Sequence, residues 1–312
     1  MRSICKLLLG VRQLGEFLAL LALVLFSVNV IVTKAASGRV HLDVGFVISI
    51  FVNVVFSGLL LIIRLLTSSQ PVGFHGFGLL MFMVSGLLSS YLGRSLYFDS
   101  IAKLGPSKAS TYMVSSPLFT FVISWLFLRE MLSWQELIAI VVVLTGLFLV
   151  SYSPKRNDQR QASWKNLIQP GAWFALLGAL SYALGNITRG AGIRDWNEPI
   201  LGGFFGALTG LLLHLLLNKQ ARTVVSSLRT ADRRGVWLYA LSGGLTISAQ
   251  IGHIAAMHYI PISIATLITT AQPLLVIPLS YFLLKNQEAL QLRTILGSAL
   301  VLLGIGALLL VS

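Results

Sequence analysis

Residues 104–130 read LGPSKASTYMVSSPLFTFVISWLFLRE, and residues 259–288 read YIPISIATLITTAQPLLVIPLSYFLLKNQE. The two stretches are variations on one text. Each opens with a proline (Pro106, Pro261), passes through Ala-Ser or Ala-Thr, and carries a second proline inside an apolar run (Pro117, Pro273). Each then closes on Arg or Lys with a glutamate soon after (Glu130, Glu288), and a glycine follows sixteen residues later (Gly146, Gly304). Upstream, FSVNVIVTKAAS at 26–37 pairs with SYALGNITRGAG at 181–192, which sets Lys34 opposite Arg189. Leu-rich helices resemble one another, but leucine content does not produce shared proline, glutamate and glycine offsets. The chain is written twice, and each copy reads as one structural unit.

Composition gives the solvent of these units. Hydrophobic residues make up 56% of the chain and charged residues 11%, about half the share usual in soluble domains; mean hydropathy is +0.85. Ten apolar runs are long enough to cross about 30 Å of hydrocarbon. In the first copy they are Leu14–Thr33, Val44–Leu66, Gly76–Phe98, Ser107–Leu128 and Trp134–Tyr152; in the second, Gly171–Arg189, Ile200–Leu217, Val236–Met257, Ile262–Leu284 and Leu292–Val311. Barrel strands are about ten residues long and alternate polar with apolar, so these runs predict helices. The sequence therefore predicts an all-α integral membrane protein of ten transmembrane helices, arranged as two inverted five-helix repeats. Residues 1–152 form the first repeat, 153–169 (SPKRNDQRQASWKNLIQ) a polar linker, and 170–312 the second. Five crossings per copy is an odd number, so the second copy enters the membrane upside down. Inverted repeats are the usual construction of secondary transporters, with the binding site near the midplane between the halves.

Other classes fit poorly. Arg2, Lys6 and Arg12 before an apolar run, with Ala35-Ala36-Ser37 after it, resemble a signal peptide and its cleavage site. The run is long for a signal core, however, and has a counterpart in the second copy. Cys5 is the single cysteine, which excludes an internal disulfide. The net charge of +13 lies mostly in short loops, where Lys and Arg meet anionic headgroups, and does not call for a nucleic-acid partner. The ten acidic residues and the scattered His41, His75, His214, His253 and His258 form no metal-ligand pair on a helix face. No glycine-rich phosphate loop exists, which excludes a self-contained ATP-driven pump. No catalytic or metal residues and no cofactor are expected. The expected partners are a small-molecule substrate and the bilayer of a cell (inner or plasma) membrane, with the chain as a monomer or homodimer.

The proline–Ala-Ser/Thr–proline–Glu pattern and the glycine-bearing helix after it resemble the EamA repeat of the drug/metabolite transporter superfamily. The resemblance covers nearly the whole chain twice and is best over Ile101–Leu149 and Ala256–Leu309, with one extra residue between Pro261 and Ala265. Asn29, five residues before Lys34, also looks like part of that family's first helix. The resemblance implies ten helices, a central cavity lined mainly by helices 1, 3, 4, 6, 8 and 9, and export or import of small polar metabolites. In the related small multidrug resistance family a membrane carboxylate sits eight residues before the first-helix lysine. Here that position is Phe26, and Glu16 lies nearer the membrane edge, where it is expected to face headgroups. A proton-coupled cation site does not carry over.

Polar side chains inside spans are costly and usually functional. In YLGRSLYFDSIAKLGPSKAS (91–110), Arg94 lies within the third span and shares a face with Ser90 and Tyr97 at helical spacing. Asp99, Lys103 and Lys108 mark where that span leaves the membrane. The eighth span carries Thr246, Gln250, His253 and Met257 as a stripe; the sixth carries Tyr182, Asn186 and Arg189 on one face. The candidate substrate-binding residues are Asn29, Arg94, Tyr97, Tyr112, Ser116, Tyr182, Asn186, Gln250, His253 and Gln272. With cationic and neutral groups and no carboxylate well inside a span, the set favours an amino acid or similar zwitterion or anion over a cationic drug. No tight Lys/Arg cluster is evident for a multiply charged phosphate.

Orientation divides two arguments. The terminus-side segments hold seven basic residues and the opposite side fifteen, nine of them in 153–169 and 218–235. The positive-inside rule then places both termini outside, whereas the family resemblance implies termini inside.

Overall fold

The computed structural model describes residues 2–68, 73–104, 109, 112–151, 170–217, 231–284 and 292–311. The linker 153–169, and with it Pro106, Lys108 and Glu288, lies outside the described residues. Among the described residues, twelve α-helices and one π-helical segment make up the architecture, with no strand. The first copy contains α1 (Arg2–Ser37), α2 (Leu42–Thr67), α3 (Gly76–Ser85), a π-helical segment (Gly86–Gly93), α4 (Arg94–Leu104), α5 (Ser115–Leu128) and α6 (Trp134–Ser151). The second contains α7 (Pro170–Asp195), α8 (Pro199–Leu217), α9 (Arg233–Tyr259), α10 (Ile262–Thr270), α11 (Pro273–Leu284) and α12 (Leu292–Val311).

Among the described residues, five helical stretches are long and apolar enough to cross a membrane: Arg12–Ser37, Asp43–Thr67, Gly76–Ile101, Pro199–Leu217 and Ile262–Leu279. Ser115–Leu128, Trp134–Val150 and Ile295–Leu310 are shorter apolar helices. The outer surface is correspondingly greasy, with Leu310 88%, Phe127 77% and Trp237 76% exposed. In water such a surface would drive aggregation; in hydrocarbon it meets its own kind.

The packing repeats as the sequence does. The start of α1 meets the end of α9, where Gly15 lies against Tyr259 and Ile260, and the end of α1 meets the start of α9, where Gly235 lies against Arg39 and Val40. The corresponding pair in the other order is α7 against α3–α4. Gly78 near the start of α3 lies against Trp196, and Gly171 at the start of α7 lies against Leu104. Both pairs are antiparallel. Ile260 lies against Gly15 near the start of α1, while the end of α7 reaches the same place, with Gly190 against Ile262 and Arg194 on Glu130. The first helix of each copy therefore runs in the opposite sense. The last helices of the copies, α6 and α12, pack on each other through Gly146 and Gly297, where an added Cβ on either would sit 2.6–2.7 Å from the other's carbonyl oxygen. Such small-residue contacts let two helix backbones approach closely.

The main hydrophobic core gathers at one end of the bundle, around Ala19, Leu23, Phe82, Ile193, Ile254, Met257, Ile262, Ile264 and Ile268. The proline-marked helices are broken rather than merely kinked. α10 ends at Thr270, Ala271 and Gln272 form a turn, and α11 restarts at Pro273. Proline lacks the N–H that a continuous helix needs there.

Candidate functional site

A cavity of ≈ 830 Å³ lies between the two copies, within the size range of small-molecule sites. Asn29 and Thr33 face it from α1; Phe46, Ser49 and Asn53 from α2; Ser89, Ser90, Arg94 and Tyr97 from the π-helical segment and α4. Tyr182, Asn186 and Arg189 line it from α7, Tyr239, Ser242, Thr246, Gln250 and His253 from α9, and Thr266, Thr269, Thr270 and Gln272 from α10 and the break after it. Asn29, Thr33, Arg94, Tyr97, Tyr239 and Ser242 lie in the middle of their helices or toward the Ser37, Leu104 and Arg233 end, and Arg189, His253 and Thr266 lie toward the other. The core described above closes off the other end.

Nine of the ten candidate binding residues meet on this wall: Asn29, Arg94, Tyr97, Ser116, Tyr182, Asn186, Gln250, His253 and Gln272. Tyr112 is not on it. Its neighbours Met113 and Val114 are, because the chain turns at Val114 before α5 begins and the helical register changes. Met257, the end of the stripe on α9, is fully buried in the core instead.

Two arginines share the wall. Arg94 lays its guanidinium 3.4 Å from the centre of the Phe46 ring, whose electron-rich face attracts a cation. Arg189 was expected at the end of the sixth span, on one face with Tyr182 and Asn186. α7 continues to Asp195, so Arg189 stands well inside and is 8% exposed. It donates from Nη2 to Ser89 Oγ at 2.5 Å, across the boundary between copies, and from Nη1 to Asn186 Oδ1 at 3.3 Å. Its Nε is buried without a hydrogen-bond partner, as is Gln250 Nε2.

Ser89 and Ser90, both in the π-helical segment, line the cavity together. Elsewhere on the wall, Ser242 Oγ donates to Asn29 Oδ1 at 2.6 Å and lies 2.9 Å from Thr33 Oγ1, tying α1 to α9. His253 Nδ1 is 3.3 Å from Thr269 Oγ1. Among the described lining residues there is no Asp, Glu or Lys, and among the described residues no cluster of three potential metal ligands occurs.

The closed end is stitched by carboxylates. Arg129 takes a left-handed conformation (φ 52°) at the end of α5 and turns Glu130 inward. Glu130, from the first copy, accepts the Ile262 N–H at 2.9 Å, the Ser263 N–H at 3.4 Å and the Ser263 hydroxyl at 3.1 Å, and pairs with Arg194. It thereby caps α10 of the second copy, whose own N-cap residue, Pro261, offers no side-chain acceptor. Arg64 pairs with Glu198 at 3.0 Å, and Arg12 pairs with Glu136 at 2.8 Å. Glu16, expected to face headgroups, is instead 8% exposed and paired with Arg12 at 3.4 Å, because the arginine one helical turn earlier offers a partner inside the protein. At the opposite end, Arg39 pairs with the exposed Asp232 at 3.0 Å. That hydrogen bond, with the Arg234 N–H, holds the Asp232 carboxyl below the usual carboxylate range.

The EamA-like transporter family matches the chain twice, over residues 13–152 and 169–310. No curated protein matches the chain. One solved crystal structure shares the architecture with a TM-score of 0.71 at 15% identity, over 96% of this chain and 99% of its own; at that identity the likeness concerns the fold.

Proposed function

The chain belongs to the EamA-like transporter family, a group of drug/metabolite-type membrane transporters rather than enzymes, and from that premise we propose a specific kind of transport. The protein is a secondary transporter that moves a small polar metabolite, an amino acid or similar zwitterion or anion, outward across a plasma or inner membrane. Ten helices cross the bilayer as two inverted halves, and the cavity between them is exposed to each side in turn. The observation that carries this reading is the cavity itself. It lies between the repeats, presents hydroxyls, amides and two guanidinium groups, and is closed at one end by contacts between one copy and the other.

Alternating access needs such contacts to be made at one end and broken at the other. Duplicated, inverted halves supply the two arrangements, because each half can adopt the shape its partner has. α7 and α9 fit this role by composition. Both are long helices interrupted by small and polar residues, suited to a wall that faces a wet cavity and not lipid.

Counterflow of labelled amino acids and organic acids in proteoliposomes tests the reading. Uptake driven by an outward gradient of unlabelled substrate, without ATP, is expected. A strict requirement for ATP, or no flux with any member of the panel, would overturn it.

A further inference from the structure

The cavity wall suggests a charge class for the cargo. Arg189 belongs to the second copy and reaches Ser89 on the first; Arg94 stands five residues beyond Ser89 on the same wall. Tyr182 lines the cavity with both arginines. No carboxylate faces them from the described lining residues.

The unmet hydrogen-bonding capacity points the same way. Arg189 Nε and Gln250 Nε2 are donors, their residues are 8% and 9% exposed, and neither atom has an acceptor. A buried donor without an acceptor is unfavourable until a ligand or water supplies one. An acceptor-rich anionic group answers both. An ammonium group does the reverse, since it adds a third positive charge beside two guanidinium groups. Resting on the transport reading above, we propose that the preferred cargo is a small organic dianion, one anionic group held by Arg189 with Gln250 and the other by Arg94. The dianion is a dicarboxylate or a phosphate ester, and the added ammonium of a zwitterion weakens binding.

The test uses the full-length protein in nanodiscs and four probes: glutarate, glutamate and glutamine, which share a five-carbon skeleton with net charges of −2, −1 and 0, and glycerol 3-phosphate. Affinities are read by calorimetry. The expected order is glutarate over glutamate over glutamine, with at least tenfold between the first and last. Glycerol 3-phosphate binding tighter than glutarate assigns the phosphate-ester source; weaker binding assigns the dicarboxylate. Arg189→Gln is expected to remove at least tenfold of glutarate affinity while changing glutamine affinity less than threefold. Arg189→Lys keeps the charge and retains part of the discrimination; it also serves if the glutamine variant misfolds. Glutamine or glutamate binding as tightly as glutarate overturns the dianion while leaving the transport of zwitterions standing. An equal loss for all probes in Arg189→Gln overturns the assignment of Arg189. No binding of any probe overturns both the dianion and the small-acid reading beneath it.

Discussion

Removing the Glu130 carboxylate should unlock the closed end of the bundle. The side chain is 8% exposed and satisfies the first two N–H groups of α10, the Ser263 hydroxyl and Arg194 at once. Glu130→Ala leaves two buried N–H groups without acceptors, at about 1–3 kcal/mol each, and strips Arg194 of its partner. Arg194 is partly exposed, so solvent recovers some of that loss. The total is about 3–5 kcal/mol, the range for breaking a buried ion pair. Glu130→Gln keeps an acceptor oxygen and loses the charge, for about 1–2 kcal/mol. These bonds join one copy to the other. If they exist only while this end is closed, the whole penalty falls on the closed state, and 3 kcal/mol corresponds to a shift of roughly 150-fold toward opening. A thiol placed at Ala265, fully buried just inside the seal, reports opening directly. In a Cys5→Ser background, Ala265→Cys should react with a bulky polar thiol reagent about 100-fold faster when Glu130 is alanine, and several-fold faster when it is glutamine. Unchanged labelling in a protein whose thermal stability has nevertheless fallen would refute the reasoning, because the cap would then persist in both states.

Further outcomes follow from the same contacts. Arg94→Ala should weaken binding of anionic or zwitterionic substrates by about 10- to 100-fold, the loss of one charged hydrogen-bonding partner, while the protein stays monodisperse; unchanged affinity by calorimetry would make Arg94 a packing residue over Phe46. Gly146→Val drives a side chain into the Gly297 carbonyl and Val301, and a loss of about 1–3 kcal/mol is expected, read as a lower melting temperature in detergent. Arg129→Gly relieves a left-handed non-glycine residue and should raise stability by up to about 1 kcal/mol; a lower melting temperature would show that the arginine side chain matters more than its backbone. Ser163→Cys in a Cys5→Ser background reports orientation: protection of the linker thiol from an impermeant reagent in intact cells is expected from the charge distribution, and labelling would place the termini inside.

Apolar run length predicted nearly every helix because burial in lipid needs only composition and continuity. The repeated glutamate and glycine offsets also proved informative in space, since Glu130 bridges the copies and Gly146 and Gly304 both lie in the α6–α12 contact. What escaped the sequence depended on where a helix is shielded. Residues 190–195 are too polar for a lipid-facing run, yet α7 continues through them because Gly192 packs on Phe82 and Ile193 is buried. That extension is what moves Arg189 from a presumed rim into the cavity. The π-helical turn at Gly86–Gly93 left no sequence mark either, because a change in hydrogen-bond register has no side-chain signature. Ser89 was therefore missed, and Tyr112 was included for want of the turn at Val114.

The contact between α6 and α12 sets a boundary on how the two halves can move. Gly146 and Gly297 meet backbone to backbone, so little there depends on side-chain rotamers being exchanged. The seal at Glu130 is the opposite kind of joint, made of hydrogen bonds that hold one geometry. For a carrier that alternates between two shapes, the first joint serves as a pivot and the second as a catch. A pivot of bare backbone tolerates a few degrees of rocking but resists separation. In the proposed alternating-access cycle, such a joint would let the halves trade open ends without coming apart in the bilayer.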